Sequence, residues 1–255
     1  MDPAGKVAVV TGGNSGLGEA AALRLVASGA SVVTLDRDGA APAGASTLVC
    51  DVSDEASVAA AVAEVMARHG RIDILVNNAG IGGIGPIATA EGPGDLAAFR
   101  RVIEVNLLGA AAVAAEVGHR MTANAPSGPD GERGVIVNTC SIASFGGQEG
   151  MGAYTAAKSA LAALTLVWAR DLSHYGIRVM GVAPGFMGTP MVAFLPPEFV
   201  AELLKDAEFP KRAGRAEEFA EVVEFIVRTP LLNADVIRLD AGTRPPARTQ
   251  WSAGG

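Results

Sequence analysis

Aromatic, sulfur and imidazole side chains are scarce in this sequence: 255 residues include 2 Trp, 2 Tyr, 2 Cys and 3 His. That scarcity excludes several chemistries at once. Cys50 and Cys140 form no CxxC pair, and His69, His119 and His174 form no HxxxH pair, so the ligand spacing of a zinc site is missing. Cys140 adjoins Ser141, but no histidine lies near it in sequence to activate a nucleophile, and the thiol reads as a buried structural one. The histidines each fall near the end of a predicted helix, where an imidazole meets terminal carbonyls, and read as structural.

Basic charge is short as well. Twenty Lys and Arg stand against 27 Asp and Glu, a net charge of −7, with a pI near 5.0. Because nucleic-acid affinity comes largely from counterions released by clustered Lys and Arg, this balance argues against a nucleic-acid partner. Long apolar runs are also missing, although 49% of residues are hydrophobic and the mean hydropathy is +0.32. The longest candidate, Val105 to Val117, is interrupted by Asn106 and Glu116, so no segment has the length of a membrane span. The start of the chain carries only the short apolar run Val7 to Val10, which predicts neither a secretory signal nor a transit peptide. A cytoplasmic protein is the expectation.

What the sequence does have is alternation. Runs of β-branched residues predict strands at Lys6 to Thr11, Ser31 to Leu35, Ser46 to Val49, Ile72 to Val76, Gly134 to Thr139, Ile177 to Ala183 and Val236 to Leu239. Helical spacing predicts helices at Gly16 to Ser28, Glu55 to His69, Asp95 to Met121, Gly152 to Tyr175 and Glu217 to Arg228. Strands that read as continuous Val/Ile/Leu runs between helices belong in a parallel sheet covered on both faces. The expected fold is therefore α/β: a single Rossmann-type, doubly wound domain over residues 1–243, with about seven strands, followed by a polar tail at 244–255. The Pro/Gly-rich stretch Ala123 to Arg133 reads, like the tail, as exposed loop.

Polar and glycine residues cluster just after the strands: Gly12 to Gly18, Asp36, Asp51, Asn77 to Gly80, Ser141 and Pro184-Gly185. In a doubly wound sheet all of these reach one edge, and the chemistry collects in one crevice. At the first strand, Gly12, Gly16 and Gly18 precede a helix whose free N–H groups suit a pyrophosphate. Asp36 closes the second strand, where a carboxylate accepts from ribose hydroxyls and repels a 2′-phosphate, so NAD is expected over NADP. Arg37 beside it could instead pair with that phosphate. Asp51 either accepts from the adenine amino group or caps the following helix.

Tyr154 and Lys158 stand at i and i+4, on one helix face. An ammonium beside a phenol favours the phenolate, and a fall of roughly two pKa units would make Tyr154 a base near neutral pH. Lys158 has donors left for the nicotinamide ribose. Ser141 can donate to a substrate oxygen on which charge develops. A serine hydrolase fails for want of a G-x-S-x-G elbow and a placed histidine.

With these motifs in order, the chain resembles the short-chain dehydrogenase/reductase family over nearly its whole length. Thr11-Gly-x-x-x-Gly16-x-Gly18 looks like the family's cofactor loop, Asn77-Asn-Ala-Gly80 like its Asn-Asn-Ala-Gly segment, and Ser141 with Tyr154-x-x-x-Lys158 like its catalytic set. Asn106, in Asn106-Leu-Leu-Gly109, matches the fourth catalytic member, which in the family helps hold a water linked to the lysine. Pro184-Gly185 and Thr189 match the stretch that meets the nicotinamide carboxamide. The second half is similar to a branch acting on 3-hydroxyacyl-CoA, the type-2 enzymes, through Asn124 to Asn138, Phe145-Gly-Gly-Gln148, Ala169 to Leu172, Gly176 to Val179, Ala183 to Gly185, Gly188 to Pro190 and Val236 to Asp240. Asn78 and Cys140 depart from that branch.

The resemblance adds Ser15, Leu17, Val52, Asn78, Ala79, Gly80 and Met187 to the cofactor contacts, makes Gln148 a substrate contact beside Ser141 and Tyr154, and implies a homotetramer. It implies an NAD-dependent oxidation of a secondary alcohol, with (3S)-3-hydroxyacyl-CoA as the leading substrate. Alternatives are a hydroxysteroid or other alcohol dehydrogenase, a 3-oxoacyl carrier-protein reductase, which Asp36 disfavours, and a dinucleotide-sensing scaffold, which has little need of four catalytic residues. The segment Phe186 to Phe209, with Met187, Met191, Phe194 and Leu195, has the composition of a lid over an apolar substrate or of a surface contact. Lys205, Lys211 and Arg212 could meet CoA phosphates or simply face water.

Overall fold

The computed structural model describes residues 1–189 and 196–248. Its elements run β1 (Val7–Thr11), α1 (Gly16–Ala27), β2 (Ser31–Asp36), β3 (Ser46–Val49), α2 (Glu55–His69), β4 (Ile74–Asn77) and a small hairpin of β5 (Ala88–Thr89) and β6 (Gly92–Pro93). Then come α3 (Leu96–Ile103), a π-turn (Glu104–Gly109), α4 (Ala110–Thr122), β7 (Gly134–Thr139), a 3₁₀ turn (Ile142–Ser144), α5 (Gly152–Ser173), β8 (Ile177–Pro184), α6 (Pro197–Leu204), α7 (Ala216–Arg228) and β9 (Val236–Leu239).

The seven long strands form one sheet in the order β3-β2-β1-β4-β7-β8-β9, every neighbouring pair parallel. Alternation along the strands explains why both faces need helices. In β1, Val7 and Val9 pack with α2 and α4 residues such as Val58, Val62, Val113 and Val117. Ala8 and Val10 pack with Ala21, Leu25, Phe219 and Val223 of α1 and α7. Each such Val, Leu or Phe side chain contributes roughly 1.5–3 kcal/mol when fully buried, and the alanines less. The edge strands β3 and β9 are less covered, as unpartnered edges in a wound sheet must be.

The order of strands places the switch point between β1 and β4, where successive connections leave in opposite directions. The carboxyl ends of β1, β2, β4, β7 and β8 therefore border one crevice.

Three expectations need correction. The helix expected as one piece over Asp95 to Met121 is interrupted by the π-turn, which places Asn106 in its middle. Within Phe186 to Phe209, where the sequence predicts no helix, lies α6, begun by proline at its first turn. The loop Ala123 to Arg133 is not uniformly exposed. Asn124 is buried and its amide donates to the carbonyls of Ile72 and Arg133, while Glu132 is buried against Arg178 at 2.7 Å. The segment after Thr243 is likewise held at its start: Glu149 N–H donates to Ala247 O at 2.9 Å and Arg248 pairs with Glu149 at 2.8 Å.

Candidate active site

The glycine loop after β1 is shaped by side chains from three neighbouring strands. Gly16 has φ of +56°, open to glycine at little cost. A β-carbon on Gly18 would stand 2.1 Å from the Gly12 carbonyl oxygen and 2.6 Å from the Asn78 amide nitrogen, so the first turn of α1 can lie this close only without a side chain. Ser15 is the N-cap of α1, but its hydroxyl makes no cap hydrogen bond. The N–H groups opening the helix thus have no side-chain acceptor, the arrangement an anionic pyrophosphate fits. Leu17 turns the other way and packs on the core.

Two residues given no role of their own from the sequence build this loop: Asn14, an unassigned position of the motif, and Thr11, its first residue. Asn14 donates through its backbone N–H to Asp36 Oδ2 at 3.0 Å and accepts from the Thr34 hydroxyl at 2.6 Å. Thr11 accepts at its hydroxyl from the N–H groups of both Asn78 and Ala79, each at 2.9 Å. Their only signal in the sequence is position, a polar side chain inside or just before the glycine run.

Asn78 is used within the protein. Its amide donates to the carbonyls of Thr11 and Gly12, and its oxygen accepts from Thr139. It clamps β1, β4 and β7 together at the crevice floor. Asp36 also accepts from Arg37 N–H at 2.8 Å, so backbone groups fix both carboxylate oxygens in place. Asp51 accepts from the N–H and hydroxyl of Ser53 at 2.9 and 2.6 Å, which with Arg101 holds its carboxyl below the usual range. The cap of α2 is instead Asp54, which accepts from Ala56 N–H. Val52, beside Asp51, is buried in the core.

The catalytic candidates come from three elements. Asn106, fully buried in the π-turn, accepts from Ile81 N–H at 2.7 Å and donates to Ile81 O at 2.8 Å. A π-turn offsets helix carbonyls from their usual partners and recurs at functional sites. Lys158, 4% exposed, donates to the Thr139 carbonyl at 2.7 Å and stands 5.9 Å from the centroid of the Tyr154 ring. A β-carbon on Gly80 would lie 3.2 Å from Asn106 Oδ1 and 3.5 Å from Lys158 Nζ, so these two polar groups flank the end of the Asn-Asn-Ala-Gly segment.

Ser141 accepts at its hydroxyl oxygen from Ala143 N–H at 3.2 Å, leaving the O–H to donate. The Ser144 hydroxyl donates to the Lys158 carbonyl at 2.8 Å, and the Ser159 hydroxyl donates to Ser144 O at 2.9 Å. These bonds fix the 3₁₀ turn carrying Ser141 to the helix carrying Tyr154 and Lys158.

The electrostatics reverse one expectation. Burial pushes the Tyr154 phenol above its usual value, outweighing the hydrogen bond with Ser141 that pulls it down. Burial also lowers Lys158 to about 8, because a desolvated ammonium is disfavoured. The acidified phenol expected from the sequence is absent for one reason: desolvation opposes charge on both partners. Cys140, beneath them, is buried with its thiol pushed up to about 11, a poor nucleophile.

Just before and within α5, Gln148 Nε2 and Thr155 Oγ1 are buried without hydrogen-bond partners among the described residues. On the far side, Pro184 ends β8, and Gly185 fits there because a β-carbon would stand 2.9 Å from Asp240 Cα. Thr189 N–H donates to Met187 O at 2.9 Å. The Met187 side chain is buried in the core beside Gly214, so only its backbone is available to a ligand in the crevice. With Phe186, Leu203, Leu204 and Ala207 it lines a cavity of about 90 Å³ beneath α6, apart from Tyr154. Met191, Phe194 and Leu195 lie outside the described residues. Of the candidate phosphate partners, Arg212 forks onto Glu218 at 2.8 and 2.7 Å, Lys205 pairs with Glu202, and Lys211 donates to the Lys205 carbonyl.

Comparison with known proteins gives a consistent result. The model of the short chain dehydrogenase family matches residues 6–198. The human 3-hydroxyacyl-CoA dehydrogenase type-2 is 43% identical over 250 residues, which cover 94% of this chain and 95% of the relative. Levodione reductase of Leifsonia aquatica is 36% identical, covering 93% of each chain. The crystal structure of 3-hydroxyacyl-CoA dehydrogenase type-2 from Mycobacterium avium superposes with a TM-score of 0.88 at 36% identity, covering 95% of this chain and 97% of that one.

Proposed function

This chain belongs to the short-chain dehydrogenase family, and we propose that it is an NAD-dependent enzyme that reversibly oxidises a (3S)-3-hydroxyacyl-CoA to the 3-oxoacyl-CoA. It is an oxidoreductase acting on CH–OH groups with a nicotinamide dinucleotide cofactor. The observation that carries the reading is the enclosure of the Lys158 ammonium between the Thr139 carbonyl and the Tyr154 ring, on the helix to which the turn carrying Ser141 is bonded.

The loop of Gly12, Ser15, Gly16, Leu17 and Gly18 would hold the pyrophosphate. Asp36 would take the adenosine ribose hydroxyls, which favours NAD over NADP, and Asp51 and Val52 would border the adenine. Ala79, Gly80, Pro184, Gly185, Thr189 and the Met187 backbone would border the nicotinamide half, with Asn78 acting as the clamp that sets this wall. The bound cofactor supplies a hydride acceptor or donor.

In the oxidative direction the carbinol hydrogen would leave with its electron pair to the bound nicotinamide, and the substrate O–H proton would pass to the Tyr154 oxygen as the phenol gives up its own proton toward the neutral amine of Lys158, whose lowered pKa makes that form accessible. The C–O bond becomes a carbonyl. The Ser141 O–H donates to the substrate oxygen throughout. Lys158 would hold the nicotinamide ribose with its remaining donors and, near its lowered pKa, would pass protons onward. Asn106 fixes Ile81 and sets the π-turn behind Lys158. Gln148 Nε2 is a donor left for the substrate.

The thioester reading rests on the identity to the type-2 hydroxyacyl-CoA enzymes over nearly the whole chain. A second reading, another alcohol or a hydroxysteroid, is favoured by the levodione reductase relative. A homotetramer is what the family resemblance implies, and Leu166 and Val167, 40% and 45% exposed on α5, offer apolar surface to a subunit contact. Among the described residues no helix is long and apolar enough to cross a membrane. The test is NADH oxidation with acetoacetyl-CoA, a steroid ketone and a simple ketoester. Rapid turnover of the thioester alone is expected, and preference for either other ketone would overturn the thioester assignment.

A further inference from the structure

One helical stretch touches both ends of the cofactor crevice. Asp95 starts α3 by accepting from the N–H groups of Ala97 and Ala98. In its last turn, Arg101 Nη1 donates to the Ser53 hydroxyl oxygen at 2.8 Å, and Nη2 stands 3.6 Å from Asp51 Oδ2. The Ser53 hydroxyl in turn donates to Asp51 Oδ1 at 2.6 Å, and Ser53 N–H donates to the same oxygen. Oδ1 is thereby doubly used. Oδ2, without a direct hydrogen bond, keeps its lone pairs for a donor outside the protein.

The π-turn that follows Arg101 locks the same loop from its other end. A β-carbon on Gly109 would stand 2.8 Å from the Val52 carbonyl oxygen, so backbone packs on backbone there. Midway, Asn106 binds both backbone groups of Ile81. Residues 51–53 and Ile81 are thus gripped by a single run of helix from Arg101 to Gly109.

We propose that Arg101 is a positioning residue for the adenine end of the dinucleotide: through Ser53 it fixes the Asp51 carboxylate with Oδ2 directed to accept from the adenine amino group. Arg101 and Asp51 are each about two-fifths exposed, so direct ion pairing is weak. The bonded chain from guanidinium to hydroxyl to carboxylate carries the effect. The inference rests on the NAD reading above, and the ligands are chosen to separate the two.

The experiment titrates the full chain, and the variants Arg101→Met, Arg101→Lys and Ser53→Ala, with NAD and with its hypoxanthine analogue, which lacks the adenine amino group. Calorimetry reads affinity without turnover. Arg101→Met and Ser53→Ala are expected to weaken NAD about 3- to 10-fold, the loss of one charge-assisted hydrogen bond, and to leave the analogue within about twofold. Arg101→Lys recovers part of the loss, and kcat at saturating NAD stays within about twofold because the adenine is remote from the hydride. Equal losses for both dinucleotides, or none for either, would overturn the inference while leaving NAD as the cofactor. Failure of the unaltered chain to bind either dinucleotide would overturn the cofactor reading and this inference with it.

Discussion

The Lys158 ammonium stands over the Tyr154 ring at 5.9 Å from its centroid and donates to the Thr139 carbonyl at 2.7 Å. This geometry ties the last residue of β7 to the helix that carries the phenol, so sheet and catalytic helix are placed together. It also removes the ammonium from water, which is why its pKa falls to about 8.

That burial gives a pH signature. A lysine near 10.5 when unfolded and about 8 when folded costs stability fully below pH 8, and the cost fades as pH rises toward 10.5. Lys158→Met keeps the length and removes the charge. Below pH 8 the variant should be more stable relative to the parent than it is at high pH, by about 3 kcal/mol across the window. Denaturant unfolding of both proteins across that range checks it; a difference independent of pH would show that the ammonium is not desolvated.

Gly18→Ala tests the cofactor loop. The added methyl would meet the Gly12 carbonyl oxygen at 2.1 Å, and backbone must move. NAD affinity should fall by at least about 10-fold, since pyrophosphate binding depends on the oriented N–H groups of this turn. Fluorescence titration with NAD would read the loss, and unchanged affinity would place the dinucleotide elsewhere.

Asp36→Ala addresses the choice of dinucleotide. Removing the carboxylate deletes the expected acceptor for the ribose hydroxyls and the repulsion toward a 2′-phosphate, with Arg37 next in sequence. The ratio of kcat/KM for NAD over NADP should drop by roughly 10- to 100-fold, as expected for loss of hydrogen bonds to a charged group. A ratio that does not move would remove Asp36 from cofactor selection.

Much of the fold could be read from the sequence because buried parallel strands announce themselves. Gly134 to Thr139 and Val236 to Leu239 are unbroken or nearly unbroken apolar runs, and their bounds match the structure. The π-turn could not be read, because a single wider turn hardly alters the apolar spacing of Asp95 to Met121. The helix at Pro197 was hidden by flanking prolines. Ser141, Tyr154 and Lys158 were visible because their spacing is fixed by one turn and one helix. Asn14 and Arg101 escaped, and Thr11 was seen only as the start of the glycine motif, because their roles depend on partners from distant strands and helices. The acidity of Tyr154 was misjudged for a similar reason, since sequence shows the neighbouring charge and not the burial that weakens it.

The most direct test of the account is single-turnover hydride transfer by Tyr154→Phe, measured as NADH formation with NAD and a 3-hydroxyacyl-CoA, alongside NAD affinity of the same variant. Affinity within about twofold of the parent and a rate lower by roughly 100- to 10,000-fold is the predicted result, the usual scale for a lost general base. Hydride transfer at nearly the parent rate would contradict Tyr154 as the group that takes the substrate's proton.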